Sequence, residues 1–199
     1  MTAFVHPLAR SLHVAAALGD AIVFLCPRRG LTFDAPGAAL SQALFATPSQ
    51  TRALLVDGAR GAAVLEAAHA RGLRMLPLYP DDVEPELLAV APRLIPVTDR
   101  HDLDALFPLF WEQGLASAVL AQSDIGTLRA HLSRQIYAET PEGEICVLRF
   151  HDPRVLRRLR AVLDQDQSDQ LFGDIIDSFV FEDGTGALAR YVHAPESDA

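Results

Sequence analysis

Lysine and asparagine are both absent from this 199-residue chain, so all 17 of its positive side chains are arginine. Twenty-six acidic residues outnumber them, and the formal net charge is -9. Apart from one short arginine-rich segment, the sequence has no basic tract that would attract nucleic acid or an anionic membrane. We therefore expect neither of these as the main partner.

Cysteine is scarce too, and the residue patterns of common catalytic sites are missing. Cys26 and Cys146 stand far apart, and neither belongs to a C-x-x-C pair or a zinc-type spacing. The seven histidines never occur as H-x-x-x-H or H-x-H, and no G-x-S-x-G serine motif is present. The sequence thus predicts no metal site, no cofactor and no catalytic residue. A reducing cytoplasm is the simplest location.

The sequence has no apolar run long enough to span a bilayer. The run at 14–25 has the length of a signal-peptide core, but Asp20 interrupts it and no small-residue cleavage site follows. We interpret this stretch as a folded part of a soluble protein that is not exported.

Half of the residues are apolar, and their spacing predicts alternating helices and strands. The predicted strands are 53–56, 73–79, 94–97, 115–121, 145–150, 175–181 and 187–193, and the predicted helices are 38–45, 59–71, 103–110, 125–136 and 153–163. The fold class is therefore α/β (or α+β), with a mixed sheet, an early parallel β-α-β unit at 53–79, flanking helices and a C-terminal hairpin. We expect an N-terminal segment, 1–50, packed on a main domain, 51–194, and a disordered tail, 195–199.

The segment 144–163 carries the most informative local pattern. Its apolar run 145–150 predicts a strand that is covered on both faces. Asp152 before Pro153 marks a helix start, because the carboxylate can accept from the first amides and proline fits the first helical position. Arg149 ends an otherwise apolar strand, so we expect it to be partly buried and paired with a carboxylate. In the same way, Ser123 is expected to cap the helix 125–136.

The predicted helix after Pro153 also holds the densest positive charge, from Arg154, Arg157, Arg158 and Arg160. Seven acidic residues and no arginine follow between 164 and 183. Either this acidic segment covers the arginines, or the arginines face an acidic surface of a partner. We expect a mixed outcome, in which Arg154 is tied internally and Arg157 and Arg158 are exposed to the partner.

Two further features allow a functional and a plain interpretation. The sequence DGARG at 57–61 follows a predicted strand and precedes a helix, where backbone amides could bind phosphate. It lacks the glycine-rich and lysine-bearing phosphate patterns, so a tight turn is the better interpretation. Phe107, Phe110 and Trp111 could form a binding surface, but their helical spacing favours core packing.

Several short motifs, taken in order, carry a resemblance to a known family. They are LLVDGA at 54–59, LY at 78–79, APRL at 91–94, HL at 131–132, LRFHDPRVL at 148–156 and LFG at 171–173. Together they resemble the bacterial type VI secretion adaptor proteins, or effector chaperones. His151 departs from the pattern, because an aromatic residue is common at its position.

The resemblance implies a cytoplasmic protein without enzymatic activity. Such an adaptor binds one toxic effector and delivers it to the tip of the secretion spike, a trimer of valine-glycine-repeat protein. The alternative is a small enzyme or nucleotide-binding domain that uses the turn from Asp57 to Gly61.

Overall fold

The computed structural model describes residues 36–80, 82–139 and 142–193. These residues form seven helices and eight strands. In chain order they are α1 (Pro36–Ala46), β1 (Thr51–Val56), α2 (Ala62–Ala70), β2 (Leu76–Pro77), α3 (Pro85–Val90), β3 (Arg93–Pro96), α4 (Arg100–Phe110), β4 (Ala116–Ala121), α5 (Ile125–Gln135), β5 (Tyr137–Glu139), β6 (Ile145–Val147), α6 (Pro153–Val162), α7 (Gln165–Phe172), β7 (Ile176–Glu182) and β8 (Leu188–Val192).

Six of the strands form one sheet in the order β2-β3-β1-β4-β7-β8. Each adjacent pair is antiparallel. The α/β class is confirmed, and β1 and β2 run in the same direction with α2 between them in sequence. The two strands of the predicted β-α-β unit are therefore parallel but are not neighbours, because β3 lies between them and bonds to both. The apolar pattern of a strand indicates which of its faces are buried but not which strand becomes its neighbour.

Helices cover both faces of the sheet. On β1, Leu54 and Val56 join a core cluster with residues of α1, α2 and α4, whereas Ala53 and Leu55 face α5, α6 and α7. This two-sided burial explains why β1 and β4 are nearly continuous apolar sequences.

The aromatic residues of α4 belong to the first of these clusters. Phe110 and Trp111 are buried, and Phe107 stacks on Trp111 with ring centroids 4.9 Å apart. The Trp111 indole N–H donates to the carbonyl of Gly186 at 3.2 Å. Core packing, which the helical spacing favoured, is therefore their role in the fold.

Aspartates begin several of the helices. Asp152 caps α6, which begins at Pro153 as the sequence predicts. The cap of α5 is Asp124 and not Ser123, because the Asp124 carboxylate accepts from the backbone N–H groups of Gly126 and Thr127. Ser and Asp have nearly equal preference for this position, so adjacent candidates cannot be separated by residue type.

The predicted buried strand at 145–150 is wrong. Only β6 is extended, its three residues are exposed, and it pairs with β5 in a separate two-stranded sheet. The chain then turns inward, so that Leu148 and Phe150 are buried in the core. An apolar run alone does not distinguish a buried central strand from an exposed strand that is followed by residues packed in the core.

The remaining differences concern short elements. β2 has two residues, not seven, and the sequence analysis contained neither α3 nor α7. The helix α7 begins within the acidic segment, where Asp164 and Gln167 form a reciprocal capping box. The predicted C-terminal hairpin is confirmed, since β7 and β8 pair on either side of Asp183-Gly184. Gly143, with a φ of 85°, lies between β5 and β6.

Several expectations lie outside the described residues. These are the run 14–25, Cys26, most of the segment 1–50, and the tail 195–199. Of the N-terminal segment, α1 packs against α4. Within the described ranges, no helix has both the length and the apolar character needed to cross a membrane.

Candidate functional site

The turn after β1 is built around the side chain of Asp57. Its Oδ1 accepts from the backbone N–H groups of Ala59 and Arg60, at 3.0 and 3.1 Å. A Cβ at Gly58 would overlap the carbonyl oxygen of Ala91, so only glycine fits between the turn and the segment after α3. The amides of Ala59 and Arg60, which a phosphate group would need, already have an acceptor. The geometry is that of a tight turn.

The second oxygen of Asp57 faces two arginines. Arg149 Nη2 donates to Oδ2 at 2.6 Å, and Arg60 Nη1 lies 3.9 Å from the same oxygen. The Asp57 side chain is 3% exposed, whereas those of Arg149 and Arg60 are 45% and 42% exposed. The expected pairing of Arg149 with a carboxylate is therefore confirmed. The outer half of its side chain remains in solvent, which agrees with the expected partial burial.

His151 lies against the same carboxylate but is fully enclosed. Its Nε2 is 3.9 Å from Asp57 Oδ2, and its Nδ1 has no hydrogen-bond partner among the described residues. Burial lowers the pKa of His151 to about 4, although the negative charge of Asp57 acts in the opposite direction. The imidazole is therefore neutral at pH 7 and adds no positive charge to the site.

Asp152 forms the second buried carboxylate of the site. Its Oδ1 accepts from the backbone N–H of Arg154 at 2.9 Å, and its two oxygens also accept from Arg154 Nε and Nη2, at 2.9 and 2.6 Å. Burial acts to raise the pKa of Asp152, but the hydrogen bonds from Arg154 outweigh it and lower the pKa. Asp152 therefore caps the helix and also holds the Arg154 guanidinium in a two-pronged contact.

The other arginines of α6 lie further along the helix. Arg158 is exposed, and Arg157 and Arg160 are half-buried. A Cβ at Gly184 would overlap the Arg157 guanidinium, so this side chain lies on the turn between β7 and β8. Arg154 is tied internally, as expected, but by the helix cap and not by the acidic segment. Arg158 is exposed as expected, whereas Arg157 is only partly exposed.

The tertiary structure brings together two segments that are far apart in the chain, since Asp57 and Arg149 are separated by 92 positions. The sequence pattern indicated no role for Asp57 and Arg60 beyond the turn. The available signal was an aspartate directly after a buried strand and before glycine, but it did not identify the partner. Across the residues that the structure describes, no group of three His, Cys, Asp or Glu side chains could hold a metal ion.

A family model described as a domain of unknown function (DUF4123) matches residues 54–170, which is more than half of the chain. The protein belongs to the DUF4123 family. The DUF4123 match begins within β1 and ends within α7, so it contains Asp57, Arg60, Arg149, Asp152 and Arg154. The hairpin of β7 and β8 lies outside it. No curated protein and no solved structure matches this chain.

Proposed function

We propose that this DUF4123 protein is an adaptor chaperone of the type VI secretion system. It binds a toxic effector in the cytoplasm and loads it onto the valine-glycine-repeat spike protein, without catalysing a reaction itself. The observation that carries the proposal is the family match over 54–170, which contains nearly all the motifs that resemble these adaptors.

The surface offers apolar contacts suited to a binding module. Tyr137 and Val147 are opposite each other in the hairpin of β5 and β6, and Ile145 lies on the same face, two residues from Val147. Their exposed fractions are 39%, 44% and 73%. Grouped apolar side chains on a surface are typical of interaction sites, because their burial under a partner removes apolar surface from water and contributes favourable free energy to binding. They support a role in protein binding.

The basic helix α6 offers contacts of a second kind. Its ten residues include four arginines and no acidic residue, in a protein with a net charge of -9. We assign Arg154, Arg157, Arg158 and Arg160 to the partner-binding surface. Charge of one sign on such a helix speeds association with an acidic partner surface.

The test is deletion of the gene in the bacterium that carries it. We expect delivery of one toxin to neighbouring cells to be lost, while the apparatus still fires and secretes its tube protein. Re-expression of the wild-type chain restores delivery, and the purified toxin and chain form a complex to which the spike protein adds. Normal delivery of every toxin in the deletion strain would overturn the proposal.

A thermal-shift screen separates the adaptor from the small enzyme or nucleotide-binding domain. A ligand that binds only the folded state raises the melting temperature by mass action. We expect nucleotides and divalent metal ions to leave the melting temperature unchanged and the purified toxin to raise it. A rise with a nucleotide would favour the enzyme.

A further inference from the structure

Three arginines converge at the end of β1 from separate segments of the chain. Arg60 lies in the turn before α2, Arg149 in the turn before α6, and Arg154 in the first turn of α6. We call Arg60, Arg149 and Arg154 the arginine triad. Each member has its inner side near a buried carboxylate and about half of its side chain in solvent.

The triad carries an uncompensated charge. Three guanidinium groups face two carboxylates, those of Asp57 and Asp152, and the neutral His151 adds no charge. Among the residues that the structure describes, these ion pairs leave one positive charge over on this surface. Elsewhere acidic groups are in excess, as the net charge of -9 requires.

The buried carboxylates also hold the arginines in place. Arg154 is fixed by a two-pronged contact with Asp152, and Arg149 by a short hydrogen bond to Asp57. A guanidinium has five N–H donors, so these contacts leave donors on the exposed side. Because these side chains are already ordered, less of their conformational entropy is lost when a partner binds them.

We propose that the arginine triad binds an acidic segment of the effector through its carboxylates. Guanidinium groups bind carboxylates in a bidentate geometry that lysine does not reproduce. The protein as a whole is negative and repels polyanions such as nucleic acids. A local surplus of one positive charge is enough to attract one or two carboxylates but not a nucleic acid. This inference rests on the proposed adaptor function. It places the centre of the docking surface beside β1, with Arg158 towards its rim.

A purely structural role for the triad predicts a different response to mutation, and two substitutions separate the roles. Arg149→Lys keeps a positive charge near Asp57 but loses the planar fork that a partner carboxylate would use. Arg60→Gln removes a half-exposed guanidinium that lies 3.9 Å from Asp57, so its effect on folding is small. The control is Arg74→Gln, since Arg74 is exposed beyond the opposite end of α2.

The probe is the toxin whose delivery fails in the deletion strain, purified in an inactive form. Its dissociation constant is measured calorimetrically for the wild type and each variant at low and moderate salt. We expect about tenfold weaker binding for Arg149→Lys and for Arg60→Gln, more for the double variant, and a shallower dependence on salt. The control should bind within about twofold of the wild type, and thermal melts of all variants should stay close to it.

Two different failures can be told apart. If the wild type binds no toxin, the adaptor function fails and the inference falls with it. If the wild type binds but both triad variants bind equally well with the same salt dependence, the adaptor function stands and the triad is purely structural. A short DNA duplex that binds the wild type tightly and loses affinity with the same variants would overturn the choice of an acidic protein segment.

Discussion

Arginine–aspartate contacts join distant parts of this chain in two settings. At the end of β1, Asp57 and Asp152 are buried and hold the arginine triad. At the other end of α2, Arg71 donates to Asp102 of α4 at 2.7 Å, and this carboxylate keeps more contact with water, with 20% of its side chain exposed against 3% for Asp57 and 4% for Asp152.

The two settings differ in which groups would lose their hydrogen-bond acceptor if the carboxylate were removed. The buried Asp57 carboxylate is the acceptor for two backbone amides and a guanidinium, whereas the Asp102 carboxylate accepts one hydrogen bond from Arg71 and is itself in contact with water. The cost of losing a partner depends on the desolvated groups that remain unpaired. Similar contacts therefore differ in their contribution to stability, and four predictions test this comparison.

The largest effect is expected for Asp57→Ala. It removes the acceptor of two amides and Arg149, so the free energy of unfolding should fall by about 4 kcal/mol. Asp57→Asn is the matched control, because its amide oxygen can still accept from the turn while the charge is lost. Denaturant melts measure both, and equal losses for the two variants would contradict the separation of turn and charge contributions.

The second effect concerns the dependence of stability on pH. The pKa of His151 is about 4 in the folded protein and 6.5 in the unfolded chain, so the unfolded state binds the extra proton first as the pH falls. Stability should be complete above pH 6.5 and decrease towards pH 4, by roughly 3 kcal/mol from this residue.

His151→Phe isolates that contribution. Phenylalanine has no buried, unpaired nitrogen and cannot be protonated, so the variant should match or exceed the wild-type stability at pH 7. The difference between the two proteins should grow from pH 6.5 to pH 4 in chemical denaturation. Parallel curves for the two proteins would show that His151 is not held neutral by burial.

The third effect is that of the helix cap. Asp152→Ala removes the acceptor for the first turn of α6 and should cost about 1 kcal/mol. The loss is smaller than for Asp57→Ala because the Asp152 carboxylate accepts from one backbone amide, whereas that of Asp57 accepts from two. A neutral result in denaturant melts would mean that the cap contributes nothing to folding.

The smallest effect is expected for the ion pair of Arg71 and Asp102. Arg71→Ala should change the free energy of unfolding by no more than about 0.5 kcal/mol, and the change should shrink further in high salt. Melts at two salt concentrations measure it. A loss as large as that of Asp152→Ala would show that burial does not distinguish the two regions.

Local patterns predicted much of this fold correctly. The Asp152-Pro153 pair located the start of α6 to the residue, because a cap and a proline are both properties of consecutive positions. The final hairpin followed from Asp183-Gly184 between two apolar runs. Arg149 was expected to find a carboxylate, since a partly buried guanidinium needs one.

The candidate site was only half predictable. The sequence singled out Arg149, Asp152 and Arg154 but left Asp57 and Arg60 in a simple turn. Choosing Asp57 among 26 acidic residues requires knowledge of which turn lies beside the start of α6. The proximity of these two segments results from long-range contacts in the folded sheet, and the local spacing of residues gives no information about it.

By itself, the sequence determined most of the helices and strands, the start of α6, the final turn, and the family to which the chain belongs. These depend on side-chain chemistry within a few consecutive residues. The tertiary structure alone decided that β3 separates β1 from β2, that β6 leaves the main sheet, and that three arginines share two buried carboxylates. Strand order and ion pairing depend on which distant surfaces bury each other best, so the free energy of the whole fold selects them.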